Sequence, residues 1–186
     1  QTCALPIFKL IKEGCENCPQ SESVWLEAAH LNHADNAKII IANAVQHLPR
    51  SVKIWQKAAD LEEDVNTKRR VLWKALEFIP NSVVLWKMAV SLEKEDSAIL
   101  LLKRAVEQVP ECVDLWLALA KLQTYDDARK TLNQARRAVP TDPLIWLTAA
   151  QLEEANGNQH HVDGIITKAL RSLRNNNVFL CVFYNI

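Results

Sequence analysis

A proline followed six residues later by a tryptophan constrains the fold of this chain more than any other feature of its sequence. The pair occurs five times, at Pro19/Trp25, Pro49/Trp55, Pro80/Trp86, Pro110/Trp116 and Pro140/Trp146. Successive copies lie 30 or 31 residues apart. A fixed period of this size is typical of solenoids, in which stacked helical hairpins pack only against their neighbours. The spacing therefore predicts an all-α array of helical hairpins.

Each repeat is predicted to contain two helices. The first helix opens two positions after the proline, mostly at residues that favour a helix N-cap. These positions are Ser21, Ser51, Ser82, Cys112 and Asp142. Trp55, Ala58, Ala59 and Leu61 then have the spacing of one buried helix face. The second helix carries apolar residues eight, five, four and one before the next proline, which ends it because proline lacks an N–H and restricts the preceding residue.

The repeat also predicts the organisation of the chain. The array spans 8–177 and contains hairpin units at about 21–49, 51–80, 82–110, 112–140 and 142–175, preceded by a lone second helix at 8–18. In the last unit we expect a turn around residues 155–158 that is about four residues longer than the others. Residues 1–7 fit no part of the repeat and are interpreted as a non-native leader. The apolar segment 178–186 is either a packed cap or a non-native end.

Composition argues against several classes of function. The 22 Lys and Arg residues balance the 22 Asp and Glu residues, whereas a polyanion-binding protein normally has a basic excess. No apolar run approaches the roughly 20 residues of a membrane-spanning helix, so we expect no membrane partner. The five scattered cysteines do not suggest a disulfide framework and favour a reducing compartment.

One cysteine and histidine pattern imitates a zinc site. Cys15 and Cys18 are followed by His30 and His33, but the two pairs belong to different parts of antiparallel helices. At about 1.5 Å per residue, His33 lies roughly 18 Å along its helix from the start. A tetrahedral site brings all four ligands to one ion, so we expect no metal. The adjacent pair His160-His161 is expected to be solvated. The acidic residues follow helix faces and no phosphate-binding loop is present, so we expect neither an enzyme nor a cofactor.

Trp73 is the candidate anchor of a partner-binding surface. It stands seven residues before Pro80, and smaller or polar residues occupy this position in other units: Ala42, Lys103 and Asn133. The repeat therefore predicts that Trp73 is exposed, and exposed aromatic residues are frequent binding anchors. Arg69, Arg70 and Lys74 are expected to form a polar rim around it. The alternative is that Trp73 folds down over a neighbouring hairpin.

The motif set resembles half-a-TPR (HAT) repeats. Tryptophan lies in the first helix, Ala128-Arg129 opens a second helix, and proline closes it. Lys38 and Arg69 match the base of the HAT pattern, whereas Ile99 departs from it. The resemblance covers 8–177 and implies a right-handed superhelix. HAT repeats occur mainly in RNA-processing proteins, and longer runs such as LWLALAKLQTYDDARKTLNQAR are similar to HAT proteins of pre-mRNA splicing.

This resemblance implies a non-catalytic scaffold in the nucleus. Its partners would be other snRNP proteins of the spliceosome, which it would bridge in the tri-snRNP through protein–protein contacts, and any contact with RNA would be indirect. It implies no cofactor and no small-molecule substrate. Two alternatives remain open. One is an RNA-binding HAT module, for which we expect a basic stripe, and the other is the scaffold of another RNA-processing complex, such as cleavage and polyadenylation.

Overall fold

The computed structural model of the protein describes residues 13–173, and all regular structure in this range is α-helical. Residues 13–17 are helical and are called α1. The helices that follow are α2 (Glu22–His30), α3 (Ala34–His47), α4 (Val52–Asp60), α5 (Val65–Phe78), α6 (Val83–Ser91), α7 (Glu95–Gln108), α8 (Val113–Leu122), α9 (Tyr125–Ala138), α10 (Pro143–Ala155) and α11 (Gln159–Leu173). The predicted leader at 1–7 and the apolar tail at 178–186 lie outside the described residues.

The structure gives the physical reason for the fixed spacing of proline and tryptophan. In every copy, the indole N–H of the tryptophan donates a hydrogen bond to the backbone carbonyl of the proline six residues earlier, at 2.7 to 3.0 Å. The tryptophans are buried, so each indole N–H needs a partner within the protein. The proline carbonyl lies just beyond the end of a helix, where carbonyls lack helical donors. One bond therefore fixes the second helix of one repeat to the first helix of the next.

The predicted N-caps are confirmed in part. Ser51, Ser82 and Asp142 each accept a backbone N–H of the first helical turn with their side chains. Ser21 occupies the N-cap position of α2 but makes no such bond, and its hydroxyl lies 3.2 Å from the hydroxyl of Ser23. Cys112 is likewise at the N-cap of α8 without a side-chain cap. Three of the first helices thus begin with a side-chain hydrogen bond, and α2 and α8 do not.

The chain divides into two compact units between Leu92 and Glu93. In the first unit, consecutive helices from α2 to α6 pack against each other, and α4 also contacts α2 and α6. In the second unit, consecutive helices from α7 to α11 pack in the same way, and α8 contacts α10. Each unit is therefore built from helices that pack against near neighbours in sequence, as in helical repeat proteins.

The core of each unit includes a residue that the sequence pattern did not single out. The residue directly before the tryptophan is at most 1% exposed in four repeats: Ile54, Leu85, Leu115 and Ile145. The leucine six residues after the tryptophan was expected in the core, but Leu31 is 49% exposed and Leu122 is 37% exposed. The expectation is therefore wrong for Leu31 and Leu122, whereas Leu61 is partly buried and packs against the core.

The expectation of a longer turn in the last repeat is also wrong. The extra residues lengthen the helix instead, so that α10 has 13 residues where α4 has 9. Gly157 follows α10 with φ of 75°, a conformation that suits glycine. The backbone N–H of Asn158 then donates to the carbonyl of Glu153 at 2.9 Å, which closes the helix end. The turn is therefore short, and Glu153 lies inside the helix.

The all-α class and the tandem helical hairpins are confirmed. The handedness of the superhelix and the limits of the repeat units stay predictions. None of the helices between residues 13 and 173 combines the length and apolar character that a membrane-spanning segment requires.

Candidate docking surfaces

The Trp73 surface lies on α5 and consists of Arg70, Trp73 and Lys74. These residues stand at positions i, i+3 and i+4 and therefore share one face of the helix. Arg70 and Lys74 are exposed, as predicted, whereas Trp73 is half-buried. Trp73 is therefore less exposed than the residues at its position in other repeats, such as Ala42 and Lys103, and its burial lies between the predicted exposed position and the alternative of a folded-down ring. Part of the indole is still accessible to a partner.

Arg69 was expected in the same rim, but its guanidinium group binds elsewhere. One terminal nitrogen donates to the side-chain oxygen of Asn66 at 3.2 Å. The other donates to the backbone carbonyl of Leu92, at the end of α6, at 3.4 Å. A basic side chain on a C-terminal carbonyl stabilises a helix end. Arg69 thus connects α5 to α6, and Arg70 and Lys74 are the exposed cations next to Trp73.

The structure does not bring the zinc-like pattern together. Cys15 is buried, whereas Cys18, His30 and His33 are exposed. Burial, together with the negative charge of Glu16, raises the pKa of the Cys15 thiol and so opposes the thiolate that zinc binds. Within residues 13–173, His, Cys, Asp and Glu side chains form no group of three or more that could hold a metal ion.

An ion pair connects neighbouring repeats in the first unit. Lys38, in α3, lies 3.2 Å from a carboxylate oxygen of Glu62, which follows the end of α4. The side chain of Lys38 is 38% exposed and that of Glu62 is 21% exposed, so water reaches both charges. An ion pair of this kind contributes about 0–1 kcal/mol to stability.

The equivalent pair in the second unit is embedded in a larger network, here called the Glu153 cluster (Tyr125, Arg129, Glu153 and Asn158). Glu153 is only 3% exposed. One of its carboxylate oxygens lies 2.9 Å from Nε of Arg129, and the other accepts the Tyr125 hydroxyl at 2.7 Å and the Asn158 amide at 3.1 Å. The Asn158 amide also donates to the Tyr125 hydroxyl at 2.6 Å. These hydrogen bonds compensate the burial of the charge.

Sequence reasoning missed these pairs although the sequence carries a signal for them. A base and an acid stand 24 residues apart at Lys38/Glu62, Arg69/Glu93 and Arg129/Glu153. Where the base is replaced, at Phe8 and Ile99, the acid 24 residues later is replaced as well, by Asn32 and Gln123. Gln123 instead accepts the hydroxyl of the buried Thr131 at 2.6 Å. At Lys38/Glu62 and Arg129/Glu153, this spacing brings the base and the acid of neighbouring repeats into contact.

Two grooves have equivalent positions in the repeat. Each is lined by the second helices of two successive repeats and by the first helix that lies between them in sequence. The first, the N-terminal groove, has a volume of about 980 Å³. It is lined by α1, α2, α3 and their connections, and its polar lining residues are Glu16, Asn32, His33, Asn36, Asn43 and His47. At one side of it, the ring of Trp25 stacks on His47 with a centroid distance of 5.6 Å.

The second, called the cationic groove, lies between α9, α10 and α11 and has a volume of about 340 Å³. Its charged lining consists of Arg129, Arg136, Lys168 and the buried Glu153. The guanidinium carbon of Arg136 lies 4.7 Å from the ring centroid of Trp146. Burial, and to a lesser extent the charge of Arg137, lowers the pKa of Arg136, but an arginine stays protonated at neutral pH. His160 and His161 complete the rim beside Lys168 and are exposed, as predicted.

Fold and surfaces together define the class of this protein: a tandem helical repeat protein of the TPR type. A family model described as Tetratricopeptide repeat matches residues 89–152. Over 94% of this chain, the solved structure of YrrB, a TPR protein with an unusual peptide-binding site, superposes with a TM-score of 0.50 at 15% identity and covers 97% of that protein. A MamA structure gives a TM-score of 0.50 over 92% of this chain and 93% of that protein, at 15% identity. At these identities the likeness shows the fold alone.

The sequence is similar to splicing factors. It is 59% identical over 63 residues to human Pre-mRNA-processing factor 6, covering 34% of this chain and 7% of that protein. It is 54% identical over 65 residues to Pre-mRNA-splicing factor prp1 of Schizosaccharomyces pombe, with 35% of this chain and 7% of that protein covered. Protein STABILIZED1 of Arabidopsis thaliana is 49% identical over 94 residues, which are 50% of this chain and 9% of that protein.

The resemblance to HAT-repeat splicing factors is therefore confirmed. The matched segments span less than a tenth of the length of these curated relatives. The match to a tetratricopeptide repeat model and the similarity to a protein named as a pre-mRNA-processing factor agree with the prediction that the chain is not an enzyme.

Proposed function

We propose that this chain acts in pre-mRNA splicing as part of a non-catalytic scaffold. The observation that carries this proposal is the 59% identity over 63 residues to a human protein named for pre-mRNA processing. A relative from fission yeast that is named for pre-mRNA splicing, at 54% identity, also supports it. Helical repeats supply extended surfaces rather than an enclosed active site, which suits a protein that holds others together.

The finer proposal is that the chain resides in the nucleus and helps to bridge snRNP proteins in the tri-snRNP. The balance of 22 basic and 22 acidic residues favours protein partners over a continuous contact with RNA. The Trp73 surface is the proposed contact, because a half-exposed indole between Arg70 and Lys74 has the composition of an interface hot spot with a polar rim.

The test is an affinity purification of the tagged chain from nuclear extract, followed by quantification of the snRNAs and proteins of the tri-snRNP. We expect these components to be enriched with the wild-type chain and to be lost with Trp73→Lys, which places in α5 the residue that α7 has at this position. The matched control is Ala42→Lys, which introduces the same residue at the same repeat position of α3 and should leave the recovery unchanged.

Both variants are first compared by thermal unfolding. We expect a shift of the Tm within about 2–4 °C for Trp73→Lys, as for a loss near 1 kcal/mol, because the indole is only half-buried. If tri-snRNP components are recovered equally with both variants, the Trp73 surface is not the contact. Enrichment of cleavage and polyadenylation proteins in place of tri-snRNP components would favour the other scaffold. Tight RNA binding by the purified chain that resists salt would favour an RNA-binding module.

A further inference from the structure

We propose that the cationic groove between α9, α10 and α11 is a second docking site, which takes a segment rich in Asp and Glu from a partner protein. This site is separate from the Trp73 surface and does not depend on the proposed role in splicing. The groove has a volume of about 340 Å³, enough for a few side chains of an extended peptide.

The first argument is the charge of the lining. Arg129, Arg136 and Lys168 face the groove, and Glu153 is the one carboxylate among its lining residues. Glu153 is 3% exposed and already accepts hydrogen bonds from Tyr125 and Asn158 and the ion pair from Arg129. A carboxylate that enters the groove therefore meets cations and little accessible negative charge. Complementary charge of this kind favours an acidic partner.

The second argument is the open space at Gly164. This residue lies inside α11, where glycine is less favourable than alanine. A Cβ atom built at Gly164 meets no atom within 4 Å, so the glycine is not required by the packing of the hairpin. Its missing side chain widens the groove beside Lys168, one turn further along the same helix face. A peptide backbone can approach α11 closely at this point.

The lining also favours a peptide over single-stranded RNA. Proteins bind unpaired bases by stacking them on exposed aromatic rings. The tryptophan of α10, Trp146, is 5% exposed, and the guanidinium group of Arg136 covers its ring at 4.7 Å. The Arg136 guanidinium group therefore covers the ring on which a base would stack. The same group is a suitable partner for a carboxylate.

The test uses a hexaglutamate peptide as the probe and the backbone amide of Gly164 as the reporter. The chain has only three glycines, whose amide signals fall in a separate region of a ¹⁵N-correlated NMR spectrum. On titration, we expect the Gly164 signal to shift and that of Gly14, in the first unit, to stay in place. A saturable interaction that moves Gly14 and leaves Gly164 unchanged would overturn the proposal, and so would the absence of any interaction.

Three variants distinguish the groove from a general attraction between charges. Lys168→Glu should weaken the binding of hexaglutamate by about tenfold or more, the effect of reversing a charge in contact with the ligand. Lys103→Glu makes the same change at an exposed position of α7, which does not line the groove, and should alter the affinity by less than about twofold, because exposed charges at a distance are screened by salt. Equal weakening by both variants would contradict the proposal.

Gly164→Leu closes the groove without changing its charge. Leucine is a better helix former than glycine, and nothing within 4 Å obstructs its Cβ, so this variant keeps the fold. We expect it to weaken the binding of hexaglutamate by about as much as Lys168→Glu, whereas undiminished binding would show that the peptide does not enter the groove. A parallel titration with a 12-nucleotide oligouridylate decides the class of partner. Tighter binding of this RNA than of the peptide, with sensitivity to the same variants, would overturn the proposal.

Discussion

The Lys38–Glu62 pair and the Glu153 cluster occupy the same repeat positions, yet their surroundings differ. In the first unit, both charges are reached by water, and the carboxylate follows the end of α4. In the second, the carboxylate lies inside the longer α10 and is nearly inaccessible. Two further donors, Tyr125 and Asn158, hold it there. The comparison shows that the repeat motif determines which side chains are in contact. The local helix length determines how deeply the contact is buried, and therefore how much it contributes to stability.

The largest expected effect comes from removing the two carboxylates separately. Glu153→Ala leaves the partly buried Tyr125 and Asn158 donors without their acceptor, whereas water solvates the 44% exposed Arg129, and we expect a loss of about 1–3 kcal/mol in the free energy of unfolding. Glu62→Ala removes a partly exposed pair and should cost about 0–1 kcal/mol. Chemical denaturation of both variants measures the difference. Equal losses would mean that burial does not distinguish the two pairs.

Much of this fold could be predicted from the sequence because its main determinant is periodic. The positions of the tryptophans, the prolines that end the second helices and the small buried alanines all follow from one register. Leu31 and Leu122 were placed in the core wrongly because a recurring residue was taken for a buried one. The length of α10 was missed for a physical reason: Gly157 permits a helix end with positive φ, and nothing in the other repeats provides a precedent for it.

The candidate sites were less predictable. Trp73 could be singled out because it can be compared with the smaller or polar residues that occupy its position in other repeats. Arg69 was placed in the rim although it has the repeat position of Lys38 and Arg129, whose partners lie in the following hairpin. Its bond to the carbonyl of Leu92 could not be predicted, because a backbone carbonyl leaves no mark in the sequence. The cationic groove combines residues of three helices, of which the sequence patterns singled out Arg129 and the pair His160-His161.

A smaller effect is expected from the hydroxyl group of Tyr125. The hydrogen bond to the Glu153 carboxylate, with partial burial and the charge of Glu153, raises the pKa of Tyr125 above its ordinary value near 10. The folded state therefore favours the protonated phenol. This contribution to stability is complete below the unfolded pKa and is lost as the pH rises from about 10 towards the folded pKa.

Tyr125→Phe should accordingly destabilise the chain at neutral pH by less than Glu153→Ala does, because the Arg129 and Asn158 contacts remain. Above pH 10, the stability gap between the wild type and Tyr125→Phe should shrink. Urea denaturation of both proteins at pH 8 and at pH values above 10 measures this gap, and the comparison cancels the titration of lysines that the two proteins share. A constant gap would show that the phenol and the carboxylate are not coupled.

The smallest effect concerns the repeat that lacks the pair altogether, and it tests the comparison most directly. Ile99→Arg and Gln123→Glu together restore the base and the acid at their 24-residue spacing. A double-mutant cycle isolates the interaction of the new pair from the cost of each single change, such as the loss of the half-buried Ile99 side chain.

We expect a coupling energy of about 0.2–1 kcal/mol, similar to that of an exposed pair. In this repeat, Glu95 stands where the unit at 112–140 has Tyr125, so no phenol is available to a carboxylate at position 123. The Thr131 hydroxyl that Gln123 accepts is present whether or not Ile99 is replaced, so its contribution cancels in the cycle. The short helix α8 also ends at Leu122, before the acid, as α4 ends before Glu62. A coupling of several kcal/mol would contradict this reasoning, because base and acid alone would then account for the strength of the Glu153 cluster. A small coupling energy would indicate that Tyr125, Asn158 and the longer α10 account for the strength of the Glu153 cluster.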